Sequence, residues 1–92
     1  MELKPVEKTL FVAASSNVGK LGSAIAHSVY DGIHVELRAI GAGAISQAVK
    51  AIAVARGYVA PMGIDLLTRV GFTDVDLPDK TVTAMVFEII TR

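Results

Sequence analysis

Hydrophobic positions along the chain fall into blocks whose period switches between that of a strand and that of a helix. Thr9–Ala14 (TLFVAA) is a continuous apolar run of strand length. Ser15-Ser16-Asn17 then supplies three cap-type side chains in a row, which marks a helix start. From there Val18, Leu21, Ile25 and Val29 trace one helical stripe, with Lys20, Ser23, His27 and Tyr30 on the opposite face. Gly19 and Gly22 each cost this helix about 1 kcal/mol relative to alanine, and Asp31-Gly32 ends it. In Ile33–Ile40, the residues Ile33, Val35, Leu37 and Ala39 alternate with His34, Glu36 and Arg38, the pattern of a half-buried strand. Gly41-Ala42-Gly43 breaks it. Ala44–Arg56 reads as the strongest helix, with Gly57 as its stop. Tyr58–Gly63, holding Pro61 and Gly63, reads as loop. Ile64–Val70 and Thr81–Ile90 are the last strands, joined by an aspartate- and proline-rich turn, Thr73–Lys80. Residues 1–8 are charged, carry Pro5 and show no periodicity, which predicts a flexible N-terminal arm before a single domain over 9–92.

The order β-α-β-α-β-β predicts an α/β chain, specifically an α+β two-layer sandwich: a four-stranded mixed sheet with two helices on one face. The first two strand-to-strand connections run through helices, so those strands should be parallel with right-handed crossovers, and the last pair an antiparallel hairpin. At 9.7 kDa the scaling of area with mass predicts a folded surface of about 5,100 Å² and one modest core.

Composition changes this picture in one respect. The chain is 52% hydrophobic before its eight glycines are counted, against about 45–50% including glycine in ordinary soluble domains. A small domain has little interior, so part of the excess is expected at a subunit interface. Lysine plus arginine and aspartate plus glutamate both number nine, so no net basicity advertises a nucleic-acid partner. Cysteine is absent, which removes disulfides, thiolate metal sites and cysteine nucleophiles. No uncharged apolar run reaches about 18 residues, and MELKPVEKTL lacks the basic-then-apolar order of a signal peptide. A cytoplasmic placement without membrane contact is expected.

The second helix separates into faces at about 100° per residue. Ile45, Val49 and Ile52 form the natural sheet-facing side, and Ser46, Gln47 and Lys50 a narrow polar strip. On the other flank Ala44, Ala48, Ala51 and Ala55 form a ridge of methyl groups that lets another helix approach closely. That helix is either the first helix of the same chain or its counterpart in a second copy across a two-fold axis.

The block Gly41–Pro61 (GAGAISQAVKAIAVARGYVAP) closely resembles the corresponding block of the stage V sporulation protein S family. The resemblance extends through ASSNVGKLGSAIA, GIDLL, GFTD and TVTA, covering roughly residues 9–90. That family is small, bacterial and cytoplasmic, is associated with spore development, and is similar in fold to the Alba chromatin-protein superfamily. The resemblance therefore implies an Alba-like sheet of order 1-2-4-3 with only the fourth strand antiparallel, a homodimer or higher homo-oligomer, and nucleic-acid (DNA or RNA) binding.

Alba-like proteins present basic side chains before the first helix, at the opening of the second, and on a long hairpin between the last strands. Here Ser15, Ser16 and Asn17 with Lys20 one turn in are the first candidate phosphate contacts, since hydroxyls, an amide and helix-start N–H groups hold phosphate. Simple capping explains the same three residues. At the opening of the second helix Gly43 and Gln47 stand where charges are expected, leaving Lys50 and Arg56 further along and Arg38 on the second strand as candidates. The final turn departs most: Asp74, Asp76 and Asp79 against Lys80 alone would be repelled by a phosphate backbone.

Other chemistry is weakly signalled. Gly41-x-Gly43 resembles the start of a dinucleotide fingerprint, but Ser46 replaces the third glycine and no suitable acidic residue follows. His27 and His34 are distant in sequence, lie on polar faces and lack spaced carboxylate partners, so no metal site is expected. Ser23 and His27 could touch on the helix surface, yet nothing would orient the histidine. No enzyme activity and no cofactor are expected. A sequence-tolerant, salt-sensitive nucleic-acid contact on one face of an oligomer is the leading expectation. A self-assembling structural or regulatory module acting through protein contacts is the alternative.

Overall fold

The computed structural model describes residues 4–92. Among them, β1 (Lys8–Val12), α1 (Val18–Tyr30), β2 (Val35–Ala39), α2 (Ala42–Val59), a 3₁₀ turn (Ala60–Met62), β3 (Leu66–Asp76) and β4 (Thr81–Thr91) follow in order. The strands form one sheet of order β1-β2-β4-β3, parallel between β1 and β2 and antiparallel on both sides of β4. Both helices pack on one face. This is the two-layer architecture expected from the hydrophobic pattern.

The core explains two unusual residue choices. On the sheet, Val12, Val35, Leu37, Ala39, Phe87 and Ile89 are buried beneath the helices. From α1 comes Ile25, and from α2 come Ala44, Ala48, Ala51, Ala55 and Val59. Gly22 of α1 is buried where the helices cross: a Cβ there would lie 2.7 Å from Val54 Cγ1 and 3.1 Å from the Ala51 carbonyl oxygen. Glycine is thus kept in a helix, despite its cost, because the neighbouring backbone comes too close for a methyl group.

That crossing corrects the orientation expected for α2. The four alanines point into the core, at 3% exposure for Ala44 and 0% for Ala48, Ala51 and Ala55. Val49 is 52% exposed, and Ile45 and Ile52 only flank the core. The reason is thickness. Only small side chains let α2 lie close to both α1 and the sheet, so the branched residues are displaced to the flank. The ridge expected as a candidate oligomer interface is packed within its own subunit, which leaves almost none of its surface to meet a second copy. α2 also runs past Gly57 to Val59. It then passes through the 3₁₀ turn to Gly63, whose φ of 78° ends the segment.

The hairpin is longer than expected. β3 continues through Gly71 to Asp76, and the turn proper is Leu77–Lys80, closed by Leu77 N–H donating to the Lys80 carbonyl at 2.7 Å. β2 pairs with β4 only from Met85 to Glu88. The stretch pairing Thr73–Asp76 with Thr81–Ala84 therefore extends beyond β2 as a two-stranded arm. Val75 opposes Val82, and Thr81 Oγ1 donates to Asp76 Oδ1 at 2.9 Å, so cross-strand pairs hold the arm where strand propensity is poor. The accessible surface of 5627 Å² exceeds the sequence-based expectation, as a projecting arm requires.

The N-terminal segment also differs from the flexible arm expected over residues 1–8. Lys8 opens β1, the Glu7 N–H donates to the His34 carbonyl at 2.8 Å, and Lys4 Nζ donates to the Gly32 carbonyl at 2.9 Å. Residues 1–3 of that arm lie outside the described residues.

Candidate nucleic-acid interface

Because β3 runs parallel to β1 and β2, the hairpin arm leaves the sheet at the end where α1 and α2 begin. Neither helix has an acidic residue in its first turn. The unpaired N–H groups of two helix starts thus face one end of the molecule with their partial positive charge uncancelled.

Side-chain hydrogen bonds shape the loop before α1. Asn17 is the cap of α1, its Oδ1 accepting from the Lys20 N–H at 2.9 Å. Ser16 Oγ accepts from the Ala13 N–H at 2.8 Å, and the Ser16 carbonyl accepts from Gln47 Nε2 at 2.8 Å. Ser16 and Asn17 therefore shape the loop, and Ser15 is the exposed hydroxyl of the three. Gln47 ties this loop to α2. Gly43 is required alongside it, since a Cβ there would lie 2.9 Å from Ala14 Cβ. The two residues that depart from the basic Alba pattern are thus the ones that join the helix starts.

The candidate cations divide into two kinds. Lys20 and Lys50 are exposed and make no ion pair among the described residues. Arg56 Nη2 lies 3.4 Å from Asp65 Oδ1, and Arg38 Nε lies 3.2 Å from Glu36 Oε2. Arg38 lies on the open face of the sheet beside Phe11, which is 72% exposed, near the end of β2 that leads into α2. The structure thus brings Ser15–Asn17 and Lys20 to the helix-start end, sets Lys50 on the outer side of α2, and pairs Arg38, on the open face of the sheet, and Arg56, late in α2, with carboxylates. The aspartates of the arm point from its strands and turn: Asp74 and Asp76 are ladder residues, and Asp79 is in the turn.

His34, on a polar face of the sheet, is nonetheless largely covered. Its Nε2 lies 2.9 Å from Glu88 Oε2, and its Nδ1 contacts the Lys4 carbonyl. His27 is exposed, 6.3 Å between ring centroids from Tyr30, and makes no hydrogen bond with Ser23 among the described residues. Glu7 Oε1 accepts from the His34 backbone N–H at 3.0 Å, and this bond, aided by the Lys4 charge, holds its carboxyl below the usual glutamate value against some desolvation. Among the described residues no group of three or more His, Asp or Glu could hold a metal ion, and no helix is long and apolar enough to cross a membrane.

Sequence reasoning missed an apolar surface. Val70 and Phe72 share the helix-side face of β3 with buried Leu66, yet they are 52% and 76% exposed. The alternation Leu66, Thr68, Val70, Phe72 was the available signal.

The architecture is that of an Alba-like domain. Alba from Thermoplasma volcanium superposes with a TM-score of 0.58 over 90% of this chain and 96% of its own, at 16% sequence identity. The family is more specific than the fold: the Stage V sporulation protein S (SpoVS) model matches residues 8–92, and the chain belongs to that family. Membership ties it to a family named for spore formation.

Proposed function

We propose that this chain is a non-enzymatic, homo-oligomeric nucleic-acid-binding protein acting in sporulation or a related developmental programme. The observation that carries the reading is the convergence of two helix starts, free of acidic first-turn residues, at one end of the sheet with Lys20 beside them. Backbone N–H groups at such starts hold phosphate without reading bases. Family membership supports the developmental role, and the Alba-like fold supports the binding role. Lys50, exposed on α2, adds charge when copies assemble. Val70 and Phe72, exposed on one face of β3, form an apolar surface suited to that assembly. The ligand is DNA or RNA, bound weakly and without sequence preference, and no cofactor is involved.

Asp74, Asp76 and Asp79 favour a second reading, a self-assembling module that acts through protein contacts alone. Fluorescence anisotropy with short labelled DNA and RNA, begun at about 50 mM salt where non-specific contacts are strong, separates the two. Saturable binding that weakens with salt is expected. Absence of binding at low salt overturns the nucleic-acid reading and leaves the module.

A further inference from the structure

β3 forms one edge of the sheet and is 11 residues long. The hydrogen bonds at its two ends show which of its backbone groups are free. Asp65 and Arg92 exchange N–H···O bonds of 2.9 and 3.1 Å, and Leu77 and Lys80 exchange bonds of 2.7 and 3.4 Å. Between these points the register of β3 on β4 is unbroken. Antiparallel partners alternately exchange both bonds and turn both groups away. The odd-numbered residues of β3 therefore bond to β4, while Leu66, Thr68, Val70, Phe72, Asp74 and Asp76 aim their N–H and C=O groups off the sheet. Such an edge is a template for another strand.

The side chains mark the same edge. Val70 and Phe72 are exposed on the helix side, and Leu67 and Val75 are half-buried on the open side. The centre, Val70-Gly71-Phe72, carries no charge, proline or bulge, the usual guards of an edge.

Building on the homo-oligomeric reading above, we propose that this edge is where two copies of the chain join. β3 of a second copy adds antiparallel across a two-fold axis at Gly71, and the two sheets become one. With the axis there, Val70 faces Phe72 of the second copy on the helix side, and Leu67 faces its Val75 on the open side. Symmetry makes each apolar pair occur twice. Thr68 faces Asp74, and Arg69 faces Thr73. Like charges stay apart, with about 13 Å along the strand between the two Arg69 residues and about 20 Å between the two Asp74 residues. Neighbouring registers lose this match. Moving the axis to Val70 sets Phe72 against Thr68, and moving it to Phe72 sets Val70 against Asp74. The seam also gives the arm a second neighbour. Thr73–Asp76 of one copy lies along Leu66–Arg69 of the other, so the poor strand formers of the arm are flanked on both sides.

The chain has no cysteine, so an introduced thiol reports only its own mate. Gly71 would face Gly71 of the second copy in a pair without hydrogen bonds, where Cα atoms lie about 4.5 Å apart, within disulfide reach. A Cβ on Gly71 meets nothing within 4 Å, so the substitution is accommodated. In a glutathione redox buffer, Gly71→Cys should form at least tenfold more covalent dimer than Arg69→Cys or Thr73→Cys alone. Mixing Arg69→Cys with Thr73→Cys should restore the cross-link, because those positions face each other. That mixture leaves Gly71 intact and gives the answer even if Gly71→Cys misfolds. Sedimentation of the wild type separates the two levels of the proposal. A monomer at micromolar protein overturns both the seam and the homo-oligomeric reading. A dimer in which neither Gly71→Cys nor the mixture cross-links keeps that reading and overturns the seam, and equal cross-linking by the single variants overturns the register.

Discussion

Gly22 and Val54 meet so closely at the crossing of α1 and α2 that a Cβ on Gly22 would lie 2.7 Å from Val54 Cγ1 and 2.9 Å from its Cβ. Gly22→Ala should gain about 1 kcal/mol of helix propensity and lose about 1–3 kcal/mol to overpacking. A net loss is expected, because the Ala51 carbonyl behind Val54 cannot rotate away. In the Gly22→Ala, Val54→Ala double variant the 2.7 Å clash with Cγ1 is gone, while the Cβ of residue 54 and the Ala51 carbonyl still crowd the added methyl group. The two losses should then sum to less than their separate values in thermal melts. Strict additivity would mean that the helices separate to admit the methyl group.

The same crossing fixes the meaning of the alanine ridge. Ala51→Glu places a carboxylate at a fully buried position under α1, at a cost of several kcal/mol, a large share of a small domain's stability. The expected result is loss of cooperative unfolding by circular dichroism. A folded variant of reduced mass would instead place Ala51 between subunits.

How much of this was legible in the sequence depends on which forces act at each residue. Periodicity marked both helices and every strand, since alternation and the helical stripe follow from burial on one side. It grouped the faces of α2 correctly but assigned the wrong group to the core. A helical wheel ranks faces by hydrophobicity, whereas Ala48 and Ala51 are chosen for the proximity of Gly22, a fact of another helix. The arm was hidden because Gly71, Asp74 and Asp76 are poor strand residues, kept in register by partners on β4. Glu36 and Arg38 were legible as same-face neighbours, and their ion pair follows from that spacing. The contacts of His34 were not, because Lys4 and Glu88 are brought to it only by the folded sheet.

Glu7 sets an acid limit on the N-terminal segment. Its carboxyl is held below the ordinary value of 4.5 by the His34 backbone N–H, then by Lys4. A lowered folded value means that stabilisation is present above the ordinary value and lost as pH falls through the folded one. Protection of the His34 amide against hydrogen exchange should therefore decline below pH 4.5 in the wild type. Glu7→Gln should remove that decline. An identical acid limb in both proteins would detach Glu7 from the effect.

The apolar surface of Val70 and Phe72 gives the assembly test that the alanine ridge cannot. Phe72 is 76% exposed, so Phe72→Ser should leave the melting curve nearly unchanged. At an interface an aromatic anchor contributes about 2 kcal/mol or more. Two equivalent copies across a two-fold axis then weaken association roughly 10³-fold. Sedimentation or light scattering at micromolar protein should report a smaller particle. Unchanged mass would move the interface off this surface.

Lys20 and Lys50 carry the expectation for nucleic-acid binding. Both are exposed without ion pairs among the described residues, whereas Arg38 and Arg56 each face a carboxylate. A cation already paired has less to gain from a phosphate, because binding must first separate it from its partner. The lysines should therefore dominate binding, and the arginines should matter little. Removing one lysine–phosphate interaction makes the plot of log affinity against log salt shallower by about 0.9 on duplex DNA. Lys20→Ala and Lys50→Ala should weaken binding equally on unrelated sequences, since phosphate contacts read no bases, and should leave the fold intact. Arg56→Ala should keep the wild-type slope within error. If Arg56→Ala and Arg38→Ala flatten the slope while the lysine variants do not, the binding surface is that of the arginines, and the two helix termini are not its phosphate site. Flattening by Lys50→Ala alone would place the contact on the outer side of α2; if Lys20→Ala flattens it, nucleic acid is held at the end of the sheet where α1 and α2 begin, beside an acidic arm that repels it. Replacing Asp74, Asp76 and Asp79 with asparagine should then tighten binding, most strongly at low salt where that repulsion is least screened.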